Sequence, residues 1–473
     1  MTSHLLDDLA DYAISNAPLA DASRGTACLC LTDALACAVG AAQQKPLLLG
    51  NLFGEAFGGT TRILGTALVA DPVKAAFDMS MLIRWMDFSD TSVLGGHPSD
   101  NIGAILAAAQ HRSERRLLEG GHALTMDDVA RALRTAYEIQ GCLASNKVDA
   151  ADIGLDHVFY VKIASTAVAT VLLGGTRQQV RNALSLAMLD GQSLNAYRHA
   201  PNAGTRKGWA GADASSRGLL LAAMAMRGEM GYPDPIGVPL WGFEAVHLRG
   251  RRLELGRAPA SHFLDHVIFK LVPCQRNGST AVEAALRLHG WFCEHGGSAE
   301  RIEIEAQDEA MRRIVTSGPL PNPAARDHCL QYMVAVSLLH GRLVSGSYTD
   351  EVAGDPRIDA LRQVMVVTEN KAFTAAHHDP TQRSCASAIR IFARDGAVSE
   401  RAEVAYPIGD PRRRHEATSL LQAKFRDLTA PCWDAARQDA LLTLLSDPDR
   451  LLSMYVPDFM EAVTDTSSRL PGR

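Results

Sequence analysis

Four stretches of this chain hold side chains of the kinds that move protons or grip anions. The first reads Arg84-Trp85-Met86-Asp87-Phe88-Ser89-Asp90-Thr91 and resumes as Gly95-Gly96-His97-Pro98-Ser99-Asp100-Asn101. An apolar helix runs into Asp87, and a glycine-rich loop leads to a new helix that Ser99 or Asp100 could cap. Capping leaves Asp87, Thr91 and His97 unexplained. A carboxylate, a hydroxyl and an imidazole in one loop suit general acid–base chemistry, and a satisfied structural role suits them equally well. In the second stretch, Gly154-Leu155-Asp156-His157, Asp156 is the natural cap of the apolar helix that follows. His157, in its first turn, could instead bind an anion beside the free backbone N–H groups.

The third stretch is the most informative: Tyr197-Arg198-His199-Ala200-Pro201-Asn202-Ala203-Gly204-Thr205-Arg206-Lys207-Gly208-Trp209. It gathers Arg198, His199, Arg206 and Lys207 on a Pro/Gly loop between helices. A run of charge is usually a solvated face. However, Gly204, Gly208 and Gly211 permit close backbone approach, and Trp209 is out of place on a merely solvated loop. In a net acidic protein this loop reads as a carboxylate or phosphate site, although it lacks the order of a P-loop and follows no strand. The fourth is Phe269-Lys270-Leu271-Val272-Pro273-Cys274, at a change in the character of the chain. Lys270 there could reach an interdomain cleft, while Cys274 has no evident histidine base to make it a nucleophile. Asp327-His328-Cys329-Leu330-Gln331-Tyr332 opens an apolar helix whose polar first turn explains most of it. Tyr332 alone stays ambiguous. Pro411-Arg412-Arg413-Arg414-His415 reads as a surface run.

The frame that must position these residues is an ordinary globular one. The chain has 473 residues, enough for two or three domains of roughly 150 residues. Its 47% hydrophobic and 21% charged content exclude disorder, and a net charge of −6 argues against a nucleic-acid binder. Nine cysteines, at 28, 30, 37, 142, 274, 293, 329, 385 and 432, form no CxxC pair and no zinc or iron–sulfur spacing. They read as buried thiols in a reducing compartment. The start of the chain carries Asp7, Asp8 and Asp11 and no Lys or Arg before Arg24, which fits neither a secretory nor a mitochondrial leader. The longest apolar stretch, Val158 to Leu173, is shorter than a membrane span and is interrupted by Lys162. A soluble, cytoplasmic protein with no membrane or nucleic-acid partner is expected.

The first half is helix after helix. Amphipathic segments begin at Leu5 and continue through Ala27–Ala42, Pro72–Trp85 and Asn101–His111. Asp71-Pro72 and Thr125 mark helix starts, the latter for a helix through about Gln140. After about residue 265 strands enter: Arg301–Glu305 alternates with period two, and Val364–Thr368 is a β-branched run. Ala388–Arg394 and Val398–Val404 flank Asp395-Gly396 as a hairpin. Helical patterns at Ala281–Cys293 and His328–His340 lie among them, and helix returns from His415 to about Leu445. The tail from Thr464 reads as frayed. The fold class is mainly α with an α+β part. Residues 1–265 make a large helical domain, 266–405 a smaller α+β lid domain, and 406–473 the rest of the helical domain.

Together these phrases resemble the MmgE/PrpD family, and within it the branch of 2-methylcitrate dehydratases. The likeness continues through Val161-Lys162-Ile163-Ala164-Ser165-Thr166-Ala167-Val168, Asp190-Gly191-Gln192-Ser193, Gly228-Glu229-Met230-Gly231-Tyr232-Pro233 and Thr280-Ala281-Val282-Glu283-Ala284-Ala285 to Tyr406-Pro407-Ile408-Gly409, in order along nearly the whole chain. The resemblance implies a helical domain with an α+β lid. It also implies a homodimeric lyase without metal, iron–sulfur cluster or other cofactor, acting on a small tricarboxylate in propionate catabolism. The reaction would take water from a 2-alkylcitrate to give a cis-aconitate derivative. The family site, carried over by motif, would use Asp87, Thr91, His97, His157, Lys207, Lys270 and Tyr332.

That chemistry requires a base for a carbon-bound proton, an acid for the departing oxygen, and cations for the carboxylates and the enolate-like charge. The catalytic set is therefore Asp87, His97, Lys207 and Tyr332, and the substrate-binding set is Thr91, His157, Arg198, Arg206 and Lys270. Two departures bear on the substrate. The Thr91–Gly96 loop is shorter than in the 2-methylcitrate dehydratases and lacks their second tryptophan. Asn277 stands about where they carry a histidine, and the segment before Pro273 is one residue shorter. A citrate with a longer alkyl chain is thus an alternative substrate. A decarboxylase or epimerase acting on a di- or tricarboxylate would suit the same fold, as would a non-catalytic tricarboxylate-binding dimer.

Overall fold

The computed structural model describes residues 4–15, 17–50, 52, 58–146, 150, 153–189, 191–199 and 202–464. Asp190 and the tail beyond Thr464 lie outside the described residues. The chain divides into two compact units. Met1–Ala196, Arg206–Ile268 and Leu421–Arg473 form the first, and Tyr197–Thr205 with Phe269–Leu420 the second. The divisions follow residues 268 and 420, where the sequence suggests 265 and 405, and the 197–205 loop counts with the second unit.

The first unit contains α1 (Leu5–Ile14), α2 (Asp21–Gln43), α3 (Pro72–Arg84), α4 (Ile102–Leu118), α5 (Met126–Ala144), α6 (Val158–Leu172), α7 (Arg177–Leu189) and α8 (Arg206–Met226). Local chemistry sets their starts. Asp71 accepts from Val73 N and Lys74 N ahead of Pro72, and Thr125 with Asp128 forms a reciprocal capping box on α5. Ser99 and Asp100 do not cap α4 as expected. A short 3₁₀ turn, Pro98–Asn101, precedes that helix and no side chain caps it. Small residues bring the helices close: a Cβ on Gly218 of α8 would sit 2.8 Å from the Ser165 side chain of α6.

Among the described residues, α2 is long and apolar enough to cross a membrane, a property the sequence pattern assigns to no segment. Most of it is buried inside the unit, so its apolarity is that of a core helix. Seven of the cysteines are buried as expected; Cys293 is exposed and Cys432 half-buried.

In the second unit a four-stranded sheet, β3 (Ala299–Ala306), β4 (Met365–Glu369), β5 (Ser387–Ala393) and β6 (Ala402–Val404), has the order β4-β3-β5-β6. The two-residue β1 (Thr61–Arg62) and β2 (Val69–Ala70) belong to the first unit. Strands β3 and β4 are parallel, with helices in the crossover, and the other pairs are antiparallel. The Asp395-Gly396 turn forms, with Gly396 at φ 87° and Asp395 Oδ1 accepting from Ala397 N. Its second arm opens with a single bridge of Val398 to Phe392 and rejoins the ladder as a strand at Ala402. Helix Ser279–Glu294 packs on this sheet around Ile302, Ile304, Ile389 and Ile391, and Leu330–His340 packs against that helix. The fold is mainly α with a smaller α+β part.

Candidate active site

Helix α3 ends at Arg84, and three residues later the chain turns sharply. Asp87 has φ 48°, a left-handed conformation that costs a non-glycine residue of order 1 kcal/mol and recurs at functional sites. Its amide donates to Arg84 O, and its carboxylate pairs with the Arg84 guanidinium. Arg84 Nε also lies 3.8 Å from Asp100. All three side chains are buried, so one guanidinium faces two carboxylates.

His97 Nε2 lies 3.5 Å from Asp87 Oδ1. On the other side of the ring, Nδ1 is 2.7 Å from the Asp90 carbonyl oxygen. A carbonyl can only accept, so Nδ1 carries a hydrogen, and Nε2 is the ring nitrogen that faces Asp87. The His157 ring follows, with its centroid 6.2 Å from that of His97. Its Nδ1 lies 3.2 Å from Asp156, and Asp156 accepts from Val158 N, as expected of the residue opening α6. Thr91 Oγ1 donates to Gly96 O at 3.2 Å, so this hydroxyl braces the loop. Gly96, at φ 81°, passes so close to His157 that any Cβ there would collide with the ring.

Lys207 is buried in the first turn of α8. Two glycines set that helix down. A Cβ on Gly208 would lie 2.8 Å from the Trp85 ring, and one on Gly211 would collide with the Asp100 carboxylate. Gly204 has only Asn202 O within 4 Å and plays no such part. Arg206 points elsewhere. It reaches Asp213 at 3.1 Å, stacks over Trp209, and lines a cavity of about 360 Å³ with Lys162, Gln192, Ser193 and Arg217. Asp87, His97, His157 and Lys207 are not in that lining.

The remaining candidates belong to the second unit. Arg198 Nη2 donates to the Tyr197 hydroxyl at 3.1 Å and is half-buried. Lys270 is buried just after a backbone crossing at which a Cβ on Gly409 would strike the Phe269 carbonyl. Tyr332 lies in the apolar core, stacked on Tyr348, and donates its hydroxyl to Ser347 O at 2.7 Å. Burial pushes its pKa up to about 12. Cys274 is part of the same core, and Asn277 turns its side-chain oxygen to the Cys385 thiol.

Residue types alone do not single out the supports of the Asp87–His97 loop. Gln140 Nε2 donates to Gly95 O at 2.7 Å. Asn101 joins Pro98 O, Gln140 and Ser165. Beneath them Asp90 accepts from Tyr137 and from Ser99 N, while Asp33 accepts from Asp90 N and from Lys424. A signal for them does exist: Asp33 is an acid in the middle of an apolar helix, and Lys424 stands on the apolar stripe of Leu421, Phe425 and Leu428. His328, 2.7 Å from Asp327, is likewise hidden in the polar start of its helix.

Comparison with known proteins gives this arrangement a context. The MmgE/PrpD N-terminal domain matches residues 7–256 and the MmgE/PrpD C-terminal domain residues 272–447. A 2-methylcitrate dehydratase of Escherichia coli K12 is 43% identical over 464 residues, covering 96% of each chain. The mitochondrial 2-methylcitrate dehydratase of Yarrowia lipolytica is 43% identical over 438 residues, covering 90% of this chain and 83% of its own. A 2-methylcitrate dehydratase-like protein, oryR, of Aspergillus oryzae is 37% identical over 477 residues, with 97% and 95% covered. With both domains matched and relatives alike from end to end, the chain belongs to the MmgE/PrpD family, as a hydro-lyase of its dehydratase branch.

Proposed function

We propose that the protein dehydrates 2-methylcitrate, or a related 2-alkylcitrate, to the corresponding cis-aconitate derivative by acid–base elimination without a metal. The observation that carries this reading is the pair Asp87–His97, in which His97 Nδ1 meets the Asp90 carbonyl and Nε2 faces the Asp87 carboxylate. In the elimination, a carbon next to a carboxylate loses its proton to the base, the C–O bond of the neighbouring carbon breaks, and the leaving hydroxyl departs as water with a proton from the acid. Asp87 and His97 share those two proton transfers.

Lys207 and His157 hold the carboxylates and the negative charge that grows on one of them. Arg198 and Lys270 are assigned to carboxylate binding on the family resemblance. Tyr332 is assigned no proton transfer, because its hydroxyl is committed to Ser347 O and is hard to ionise. Arg206, drawn toward Asp213, is assigned to the neighbouring cavity. The test is turnover by the purified protein with a chelator present, followed by the absorbance of the new conjugated double bond. Citrate, 2-methylcitrate and longer 2-alkylcitrates are compared. Chelator-resistant turnover of 2-methylcitrate or a longer homologue is expected. Absence of turnover on all of them would overturn the reading. A preference for longer chains would make the short Thr91–Gly96 loop and Asn277 determinants of specificity.

A further inference from the structure

The Asp87–His97 loop rests on more buried charge than stability explains. Asp33 and Lys424 are paired at 2.6 Å with side chains 1% and 4% exposed, and Asp90 is fully buried beside them. Such a set is expensive to desolvate, and apolar side chains of similar size would stabilise the fold at least as well. Its members come from four places: Asp33 from α2, Tyr137 from α5, Asp90 from the loop, and Lys424 from helix Arg414–Thr429. They converge on one backbone segment. Lys424 Nζ donates to Phe88 O at 2.7 Å and lies over the Phe88 ring. Asp33 Oδ2 takes the Asp90 amide at 2.8 Å. Thr91 is pinned through its amide and carbonyl to Ile268, both at 2.8 Å. The Asp90 side chain is fixed in turn, taking the Tyr137 hydroxyl at 2.6 Å and Ser99 N at 3.2 Å. In the middle of this segment, Asp90 O receives His97 Nδ1.

We propose that Lys424, Asp33, Asp90 and Tyr137 form a positioning device for His97: by immobilising the backbone from Phe88 to Thr91 they hold the Asp90 carbonyl against Nδ1, fix the ring's tautomer and keep Nε2 available for proton transfer. None of the four touches the reacting atoms. The inference rests on the reading of His97 as an acid–base residue. It accounts for buried charges that packing alone does not require, and for their convergence on the residue behind the imidazole.

Tyr137→Phe removes one hydroxyl without changing shape, and the double variant Lys424→Met with Asp33→Asn removes the ion pair without stranding either charge. Both are made in the full chain and checked for folding by circular dichroism and thermal unfolding. Histidine ¹⁵N shifts, with the His97 signals assigned by loss in His97→Asn, report the tautomer. Wild type is expected to show Nδ1–H alone, and the variants a mixture of tautomers. Their kcat on the best 2-alkylcitrate should fall about a hundredfold, with KM within about threefold. A folded variant that keeps both the single tautomer and the wild-type kcat overturns the inference. If the double variant does not fold, Tyr137→Phe decides alone. Should no protein, wild type included, turn over any 2-alkylcitrate while the tautomer still shifts, the functional reading fails and the positioning device stands.

Discussion

Two buried tyrosines mark two kinds of interior in this protein. Tyr137, in the first unit, gives its hydroxyl to the Asp90 carboxylate within a network of acids, a lysine and backbone amides. Tyr332, in the second, gives its hydroxyl to the Ser347 carbonyl inside an apolar cluster and stacks on Tyr348. Burial pushes both phenols up. What differs is the cost of the surroundings. A neutral hydroxyl on a carbonyl satisfies one polar group cheaply, whereas a buried carboxylate needs every lone pair answered. Fold stability asks for the first arrangement; the second is what the proposed positioning of His97 would require.

The sharpest break would come from the residues above the polar network. Lys207→Ala should lower kcat by about a thousandfold, because a cation facing developing charge contributes most in the transition state. The protein should remain folded by circular dichroism, and retained turnover would remove Lys207 from the site. Gly96→Ala comes next. The residue has φ 81° and no room for a Cβ beside His157, so unfolding should be easier by about 1–3 kcal/mol. Displacing the His157 ring should also cut kcat about a hundredfold. A variant with normal kcat would show that the His157 ring position does not matter.

The quiet interior should respond differently. Tyr332→Phe is expected to destabilise by about 1 kcal/mol in urea unfolding, the worth of one hydrogen bond, and to lose far less activity than Lys207→Ala. A loss as large as that of Lys207→Ala would return Tyr332 to the proton transfers. The smallest effect concerns pH. Burial, and then the nearby Asp33 carboxylate, raise the Asp90 pKa to about 6 from its ordinary value near 3.8. The folded protein therefore binds the proton more tightly than the unfolded chain. That contribution to stability is present below pH ~4 and is lost as pH rises through about 6. Asp90→Asn should flatten the dependence of the urea midpoint over this window; an unchanged slope would locate the titration elsewhere, for instance at Asp78, whose pKa burial also raises to about 6.

Much of the frame was legible in the residues because it rests on local rules. Asp71-Pro72 and Thr125 with Asp128 announce helix starts through their own hydrogen bonds. The alternation at Arg301–Glu305 and the Asp395-Gly396 turn announce strands in the same way. Asp87 and His97 stood out as residue types that capping did not need, and the family resemblance grouped His157 with them. Where local rules mislead, a neighbour from afar decides. Ser99 and Asp100 look like caps. Yet the Ser99 amide serves Asp90, and the Asp100 carboxylate lies against Arg84 and the glycine face of α8. Tyr332 is equivocal until Ser347 and Tyr348 are placed around it.

By itself, then, the sequence determined where several helices and strands lie, the mainly α character with an α+β part, and the residues able to do acid–base work. Those depend on contacts a few residues long and on side-chain chemistry that needs no partner. Tertiary structure alone decided how that chemistry is aimed. Lys424 and Asp33 are 391 residues apart, and no local rule pairs them. Only folding brings a cation, two carboxylates and a phenol beneath one loop, so that the carbonyl of Asp90 meets one nitrogen of His97 and leaves the other facing Asp87.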